Sequence, residues 1–237
     1  MTTSGGNKKK WMLALVIPLV VCFGPGAFVR WKIEQAVKEK LPDMIGPARS
    51  YTVSVKGGLF EIIKGRIAAV NIRGNGVRLA NGLTIDRLDI RLQGIKFKPD
   101  QTITDVQSTD FAAVVTEQGL SEFLANARPD MKDSKVSLAD NRLTLSASLR
   151  ILATRTPVTL DCSLRIEGAT KLNLVIDRLI ARGIKVPGFV RGKLMHDLNP
   201  VFDTQQMGID AKLNSVQIAN GAITLTGNAD VKGALAQ

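Results

Sequence analysis

The stretch RLTLSASLRI, residues Arg142 to Ile151, alternates polar and apolar side chains at every position. Apolar residues at every second position predict a β-strand with one buried and one solvated face. The alternation returns after Pro157 in VTLDCSLRIE, so each of two consecutive strands could reach about ten residues, against a usual five or six. Long one-sided strands favour a curved antiparallel sheet, whose apolar face must be covered by a helix of the chain or by a lipid.

Similar turns recur at three places in the chain. They are Ala80-Asn81-Gly82, Ala139-Asp140-Asn141 and Ala219-Asn220-Gly221. Asn-Gly tolerates the positive φ angles of a tight hairpin. We therefore expect Val70–Leu79 to pair with Leu83–Phe97, and Met207–Ala219 to pair with Ile223–Lys232, as neighbours in an antiparallel meander.

The strand predicted over Leu83–Phe97 changes phase twice. Its apolar residues are odd-numbered at the start, even-numbered from Leu88 to Leu92 and odd-numbered again at the end. Each change implies one extra residue, and we predict bulges near Asp86-Arg87 and Gln93-Gly94. Two bulges would coil the strand while its apolar face stays inward.

The N-terminus carries a segment typical of membrane insertion. Three lysines precede Trp11–Val29, which has nineteen residues without a charge and is closed by Arg30. This length can just span a bilayer, and the lysines place residues 1–10 in the cytoplasm. We expect an uncleaved anchor at 11–29 and one extracytoplasmic domain at 30–237. A cleaved signal peptide, which would release the domain from the membrane, is the alternative.

Three segments have the apolar spacing of amphipathic helices. The first, Phe28–Ile45, could lie along the membrane or pack inside the curved sheet, and we favour the second position. Thr116 could cap a helix over Glu117–Ala127, and Pro187 could begin another that runs to Leu198. The apolar residues expected on the first helix are Trp31, Val37, Leu41, Met44 and Ile45.

The net charge of +11, from 32 Lys and Arg against 21 Asp and Glu, indicates an anionic partner. The basic residues are spread along the strands, and aromatic residues are only 5% of the chain, which disfavours nucleic acid. An anionic membrane surface fits better, because each nearby Lys or Arg contributes about 1 kcal/mol. The alternative is that the basic residues are ordinary solvated charges on the outer face of the sheet and bind no partner.

No pattern of catalytic or metal-binding residues is present in the sequence. The chain has one histidine, His196, and two cysteines, of which Cys22 lies in the apolar segment and Cys162 at an apolar strand position. Neither a metal site nor a disulfide is therefore expected. Four carboxylates alternate with apolar strand positions, which places them on the wet face: Asp86, Asp89, Asp161 and Asp177. We expect no enzymatic activity and no cofactor.

The order of these pieces resembles the LmeA-like family of bacterial envelope proteins. The resemblance rests on GGLF at 57–60, the run from Leu83 to Ile95, the helix after Thr116-Glu117, GIKVP at 183–187 and GAITLTG at 221–227. It implies a phospholipid-binding fold related to the tubular lipid-binding proteins, with an apolar groove and no catalytic residue. It supplies no fixed list of ligand-contacting positions.

The sequence thus predicts an α+β fold, in which a long, strongly curved antiparallel sheet wraps around an amphipathic helix behind an N-terminal transmembrane segment. Its function would be to bind phospholipid or another anionic lipid at the membrane, with acyl chains in a groove between sheet and helix. Core packing is the alternative reading of the candidate groove residues, which are Phe111, Phe123, Leu124, Phe189 and Leu194. An envelope scaffold that binds another protein and no lipid is the main rival function, and a glycan-processing accessory enzyme is a third.

Overall fold

A computed structural model describes residues 25–98, 103–127, 132–151, 154–181, 184–186, 188, 191–192, 195–196, 199–207 and 210–230. The helices with defined bounds are α1 (Pro25–Met44), α2 (Leu59–Ile63) and α3 (Glu117–Ala127), and a 3-10 turn covers Thr204–Met207. The strands are β1 (Ser50–Lys56), β2 (Arg66–Arg78), β3 (Thr84–Phe97), β4 (Ile103–Asp105), β5 (Ser108–Thr116), β6 (Lys132–Ala139), β7 (Arg142–Ile151), β8 (Thr154–Glu167), β9 (Lys171–Ala181), β10 (Ile184–Lys185), β11 (Phe202–Asp203), β12 (Asp210–Ala219) and β13 (Ala222–Asp230).

These strands form two antiparallel sheets. Sheet A has seven strands in the order β1-β2-β3-β5-β13-β12, with β4 added beside β3, and it curls as a half-barrel. Sheet B has six strands in the order β10-β9-β8-β7-β6, with β11 also paired to β9. The prediction of a mostly antiparallel, curled sheet is confirmed, but the expected single long sheet is divided in two. Most strands pair with their sequence neighbours, because short turns leave no other partner within reach.

The three predicted turns join β2 to β3, β6 to β7 and β12 to β13, which confirms the predicted hairpins. In the middle turn Asp140 and Asn141 adopt φ angles of 50° and 59°. This left-handed backbone fits the right-handed twist of the flanking strands and suits Asp and Asn better than other non-glycine residues. The hairpin signal in the sequence was therefore sufficient to set these strand pairs.

Strand β7, which contains Arg142–Ile151, pairs with β8 as the alternation predicts. Leu143 lies opposite Cys162 and Leu145 opposite Leu160, and all four side chains are buried. A shift of register on the other side of β8, between Asp161 and Cys162, leaves Asp177 as an extra residue in β9. The inward face of sheet B is therefore an apolar layer, and β9 carries a bulge at Asp177.

The predicted one-sided bulges in β3 are wrong, although both changes of phase occur. The pairing of β2 with β3 keeps a constant register from Ile67 opposite Ile95 to Val77 opposite Ile85. At each phase change both strands carry one unpaired residue, and one of the two is a glycine, Gly76 or Gly94, each with a φ of 62°. Since β2 changes phase at the same points, the two strands turn together and their register is preserved.

Helix α1 packs against β1 and covers one end of sheet A. Residues spaced four apart, from Val29 through Ile33 and Val37 to Leu41, pack with the strand core, and Leu41 is only 3% exposed. The helix therefore packs on sheet A through one face, since spacing of four residues repeats one helix face. Trp31 and Met44, which were expected on that face, are 53% and 77% exposed instead.

Helix α3 holds the two sheets together. The hydroxyl of Thr116 accepts a hydrogen bond from Gly119 N, which confirms the predicted cap. The side chain of Glu117 accepts a hydrogen bond from Leu138 N of β6 at 2.5 Å, and Gly221 N donates to Leu138 O. The edge of sheet B is thereby fixed beside the β12–β13 turn of sheet A.

The predicted anchor lies mostly outside the described residues, which begin at Pro25. Within the described part of the chain no helix is long and apolar enough to cross a membrane. Of the helix predicted from Pro187 to Leu198, the residues that the structure describes, Gly188, Arg191, Gly192, Met195 and His196, are helical.

Candidate functional site

One row of paired residues crosses the inner face of sheet A, the face that carries both α1 and sheet B. The row runs Ile72, Ile90, Phe111, Gly227 and Leu213, one residue from each of five neighbouring strands. At one end Ile72 is buried in the cluster that includes α1, and at the other end Leu213 is buried against Leu172 of sheet B. In the middle, Ile90 and Phe111 are only half-buried.

The half-buried middle extends along β3. Leu92, two residues from Ile90, has the same orientation and is half-buried as well. We call Ile90, Leu92 and Phe111 the apolar strip. Ile90 and Leu92 pack against the core that includes α1, and Phe111 packs against the small cluster shared with sheet B. The part of these side chains that stays exposed can hold apolar ligand atoms at low desolvation cost.

The ring of Phe111 lies close to Gly227, where the absence of a side chain makes room for it. A Cβ atom at position 227 would lie 2.5 Å from Phe111 Cζ, and it would also meet the carbonyl oxygen of Lys212. The close approach occurs where β12 has a shift of register between Leu213 and Ser215. Gly227 thus leaves room for the aromatic ring close to the backbone of β13, at the edge of the strip.

Thr109 places a hydroxyl group next to the strip. It pairs with Leu92, is 6% exposed, and its Oγ1 has no hydrogen-bond partner among the described residues. By contrast, the buried Thr204, which is 1% exposed, donates from Oγ1 to Ala211 O at 2.6 Å. A buried hydroxyl without a partner loses its hydration and gains nothing in return.

We therefore expect Thr109→Val to raise the free energy of unfolding by about 1 kcal/mol, because the change removes an unsatisfied group at constant shape. Thr204→Val is the matched control and should lower it by about 1–3 kcal/mol, since it leaves Ala211 O without its donor. Urea denaturation of the two variants measures both effects. An equal loss of stability in both would show that the Thr109 hydroxyl is bonded.

A family model described as LmeA-like phospholipid-binding matches residues 24–228 of the chain. The chain belongs to the LmeA-like family. No curated protein and no solved structure shows significant similarity to it. Membership confirms the resemblance seen in the sequence, and the curled antiparallel sheet agrees with the tubular lipid-binding fold that the resemblance implies.

The residues predicted to line the groove of this LmeA-like protein lie in different places. Phe111 is part of the apolar strip. Leu124 is half-buried on α3 and packs against the core of sheet B, and Phe123 beside it is also half-buried. Phe189 and Leu194 lie outside the described residues. The structure therefore brings together Phe111 with Ile90 and Leu92, rather than with the α3 residues.

Ile90 and Leu92 were missed as site residues, although the sequence contained a signal for them. They form the even-numbered stretch of β3 between its two phase changes. The pattern alone shows that they face inward, but it does not show which inward positions the helix and the second sheet leave uncovered. That distinction depends on how distant segments of the chain pack together.

Cys162 of this LmeA-like protein lies in the core of sheet B. It is 1% exposed, and burial, followed by the nearby charges of Asp177 and Asp161, raises the pKa of its thiol to about 12. Only the thiolate reacts rapidly with disulfides and alkylating reagents. The expectation that Cys162 is a small core residue is confirmed.

A thiol titration tests this in a Cys22→Ser variant, in which Cys162 is the remaining cysteine. We expect no reaction with a disulfide reagent at pH 8 in the folded state and one equivalent in denaturant, because the reagent must reach a thiolate. Rapid reaction without denaturant would place Cys162 at an accessible site.

The carboxylates predicted on the wet face mostly serve the fold. Asp89 forms ion pairs with Arg73 and Arg87. Burial raises the pKa of Asp161, but hydrogen bonds from Arg178 and Thr144 outweigh this and leave that pKa below its ordinary value. Asp177 is exposed at the bulge of β9.

Asp86 is half-buried, as Asp89 and Asp161 are. Its Oδ2 accepts hydrogen bonds from the backbone and the hydroxyl of Thr116 at 2.9 and 2.8 Å. It thus positions the start of α3. Within the described part of the chain, no three His, Cys, Asp or Glu residues lie close enough to hold a metal ion.

A second surface feature of the LmeA-like chain is a cleft of about 410 Å³ between α2 and the adjoining ends of β2, β3 and β4. Its walls carry two ion pairs, Glu61 with Arg66 and Lys96 with Asp105. The apolar strip does not line this cleft. Its charged walls suit water and ions better than acyl chains.

Proposed function

We propose that the protein binds a phospholipid non-catalytically, with the acyl chains lying along the apolar strip between α1 and sheet B. The row from Ile72 to Leu213 carries the proposal, because its two ends are buried while Ile90 and Phe111 in the middle are half-buried. Each methylene buried there would contribute about 0.8 kcal/mol. Family membership supports the same ligand class.

The charge of the chain supports an anionic headgroup. The net charge is +11, and cationic side chains form charge-assisted hydrogen bonds with phosphate oxygens. We infer that the protein works on the extracytoplasmic side of a bacterial membrane, because Lys8, Lys9 and Lys10 precede an apolar segment and mark its cytoplasmic end. It would carry lipid or present it at that surface, with no bond made or broken.

Native mass spectrometry with lipid extraction tests the proposal on the full chain, purified from a bacterial envelope in a mild detergent. We expect stoichiometric phospholipid that survives purification. The matched control is the variant Ile90→Trp, in which the larger side chain covers the strip. It carries the same N-terminal segment and is purified in the same detergent. An apo mass, with no uptake from vesicles, would contradict lipid binding and favour a scaffold.

A further inference from the structure

Helix α2 exposes two large apolar side chains. Phe60 and Ile63 are 78% and 72% exposed, while Ile62 between them is buried in the core that contains α1. Neighbouring exposed apolar side chains are typical of a surface that meets a membrane or another molecule.

The start of α1 exposes a second pair of apolar side chains. Phe28 and Trp31 are 58% and 53% exposed, and their rings stack with centroids 6.1 Å apart. The Nζ of Lys32 lies 5.2 Å from the centroid of Phe28. Aromatic rings with adjacent lysines are typical of the boundary between a bilayer and water.

Hydrogen bonds place the two pairs at the same end of the molecule. Tyr51 Oη at the start of β1 donates to Gly46 O at 2.7 Å, beyond the C-terminal end of α1. Val55 N at the other end of β1 donates to Glu34 Oε1 at 2.8 Å, one helical turn from Trp31. Strand β1 thus runs back along α1 toward the start of the helix, and α2, which follows β1, contacts α1.

The charge around this end is positive. Five cationic residues lie on these segments: Arg30, Lys32, Lys56, Lys64 and Arg66. Two carboxylates face them from the same elements, Glu34, which accepts from Val55 N, and Glu61, which pairs with Arg66 at 3.8 Å. A surface with more cationic than anionic side chains is attracted to anionic lipid headgroups.

We propose that this end of the molecule, formed by Phe28, Trp31, Phe60 and Ile63, docks onto the surface of an anionic bilayer. The N-terminal chain supports this occupant, because α1 begins at Pro25, directly after the apolar residues from Trp11 onward. Docking through these residues would set the orientation of the two sheets relative to the membrane. The inference goes beyond lipid binding and does not depend on a lipid in the apolar strip.

The test attaches an environment-sensitive fluorophore to Phe60→Cys in a full chain that also carries Cys22→Ser. Met44→Cys is the matched control, because Met44 is as exposed as Phe60, at 77%, but lies at the opposite end of α1. Both proteins are placed in vesicles of phosphatidylglycerol and phosphatidylcholine with nitroxide-labelled lipids. We expect a blue shift and nitroxide quenching at position 60, and neither at position 44.

Equal emission and equal quenching at the two positions would overturn the proposal. A blue shift at position 60 without quenching by nitroxide lipids would also overturn it, because it would indicate contact with protein, such as a second copy of the chain. In vesicles of phosphatidylcholine alone the quenching should fall, and unchanged quenching would overturn the anionic preference. Lipid carried by the same proteins is measured separately by mass spectrometry. A negative result for membrane docking can therefore be distinguished from a negative result for lipid binding.

Discussion

Ile90→Trp should lower the amount of lipid that the protein carries without unfolding it. Ile90 is half-buried and packs against the core that includes α1, so the larger indole ring would cover surface that is proposed to contact an acyl chain. Displacing only two methylenes removes about 1.6 kcal/mol, or about tenfold in affinity. We expect at least that loss of co-purified phospholipid in native mass spectrometry, with an unchanged urea midpoint.

The matched control is Ile72→Trp, because Ile72 lies opposite Ile90 on the same sheet face but is buried in the core that includes α1. Overpacking there should lower the free energy of unfolding by about 1–3 kcal/mol. If both variants were destabilised equally and lipid were absent from the parent protein, the strip would be ordinary core. The scaffold reading would then be preferred over the lipid-binding one.

Gly227→Ala should destabilise the fold by about 2–4 kcal/mol, a large effect for one methyl group. The added Cβ would meet the carbonyl oxygen of Lys212, which is backbone and cannot rotate away, and the ring of Phe111. Relief would require β12 and β13 to separate or the ring to leave the sheet. Denaturation in urea measures the loss, and lipid retention should fall as well, because Phe111 belongs to the strip.

Gly58→Ala provides the comparison, since a Cβ there would have no heavy atom within 4 Å and the φ angle of −73° suits alanine. We expect a change within about 0.5 kcal/mol. Equal stability of the two variants would mean that β12 and β13 adjust to a side chain without cost, contrary to the close packing at Gly227.

Local patterns in the sequence were enough to predict most elements. The alternation in Arg142–Ile151, the Asn-Gly turns and the cap at Thr116 all appear in the structure where the sequence placed them. Each of these depends on neighbouring residues and on backbone preferences, which the sequence states directly. The bulges predicted in β3 failed because the partner strand has its own phase changes, and pairing couples the two strands.

The candidate site, in contrast to the secondary-structure elements, was only partly predictable from local patterns in the sequence. Phe111 was predicted, but Ile90 was not, although the two residues form a cross-strand pair. Alternation distinguishes inward from outward positions, and both residues satisfy it. It does not report how far α1 and sheet B extend over the inner face, which leaves some inward positions half-covered.

The sequence by itself determined that this chain forms long one-sided antiparallel strands joined by tight turns, with a covering helix and family membership readable from short motifs. Only the tertiary structure decided that there are two sheets, that Trp31 is exposed, and that the middle of one row of residues is half-buried. The physical reason is the distance along the chain over which each effect acts. Periodicity and turn chemistry act between near neighbours, whereas burial depends on surfaces brought together from distant parts of the chain.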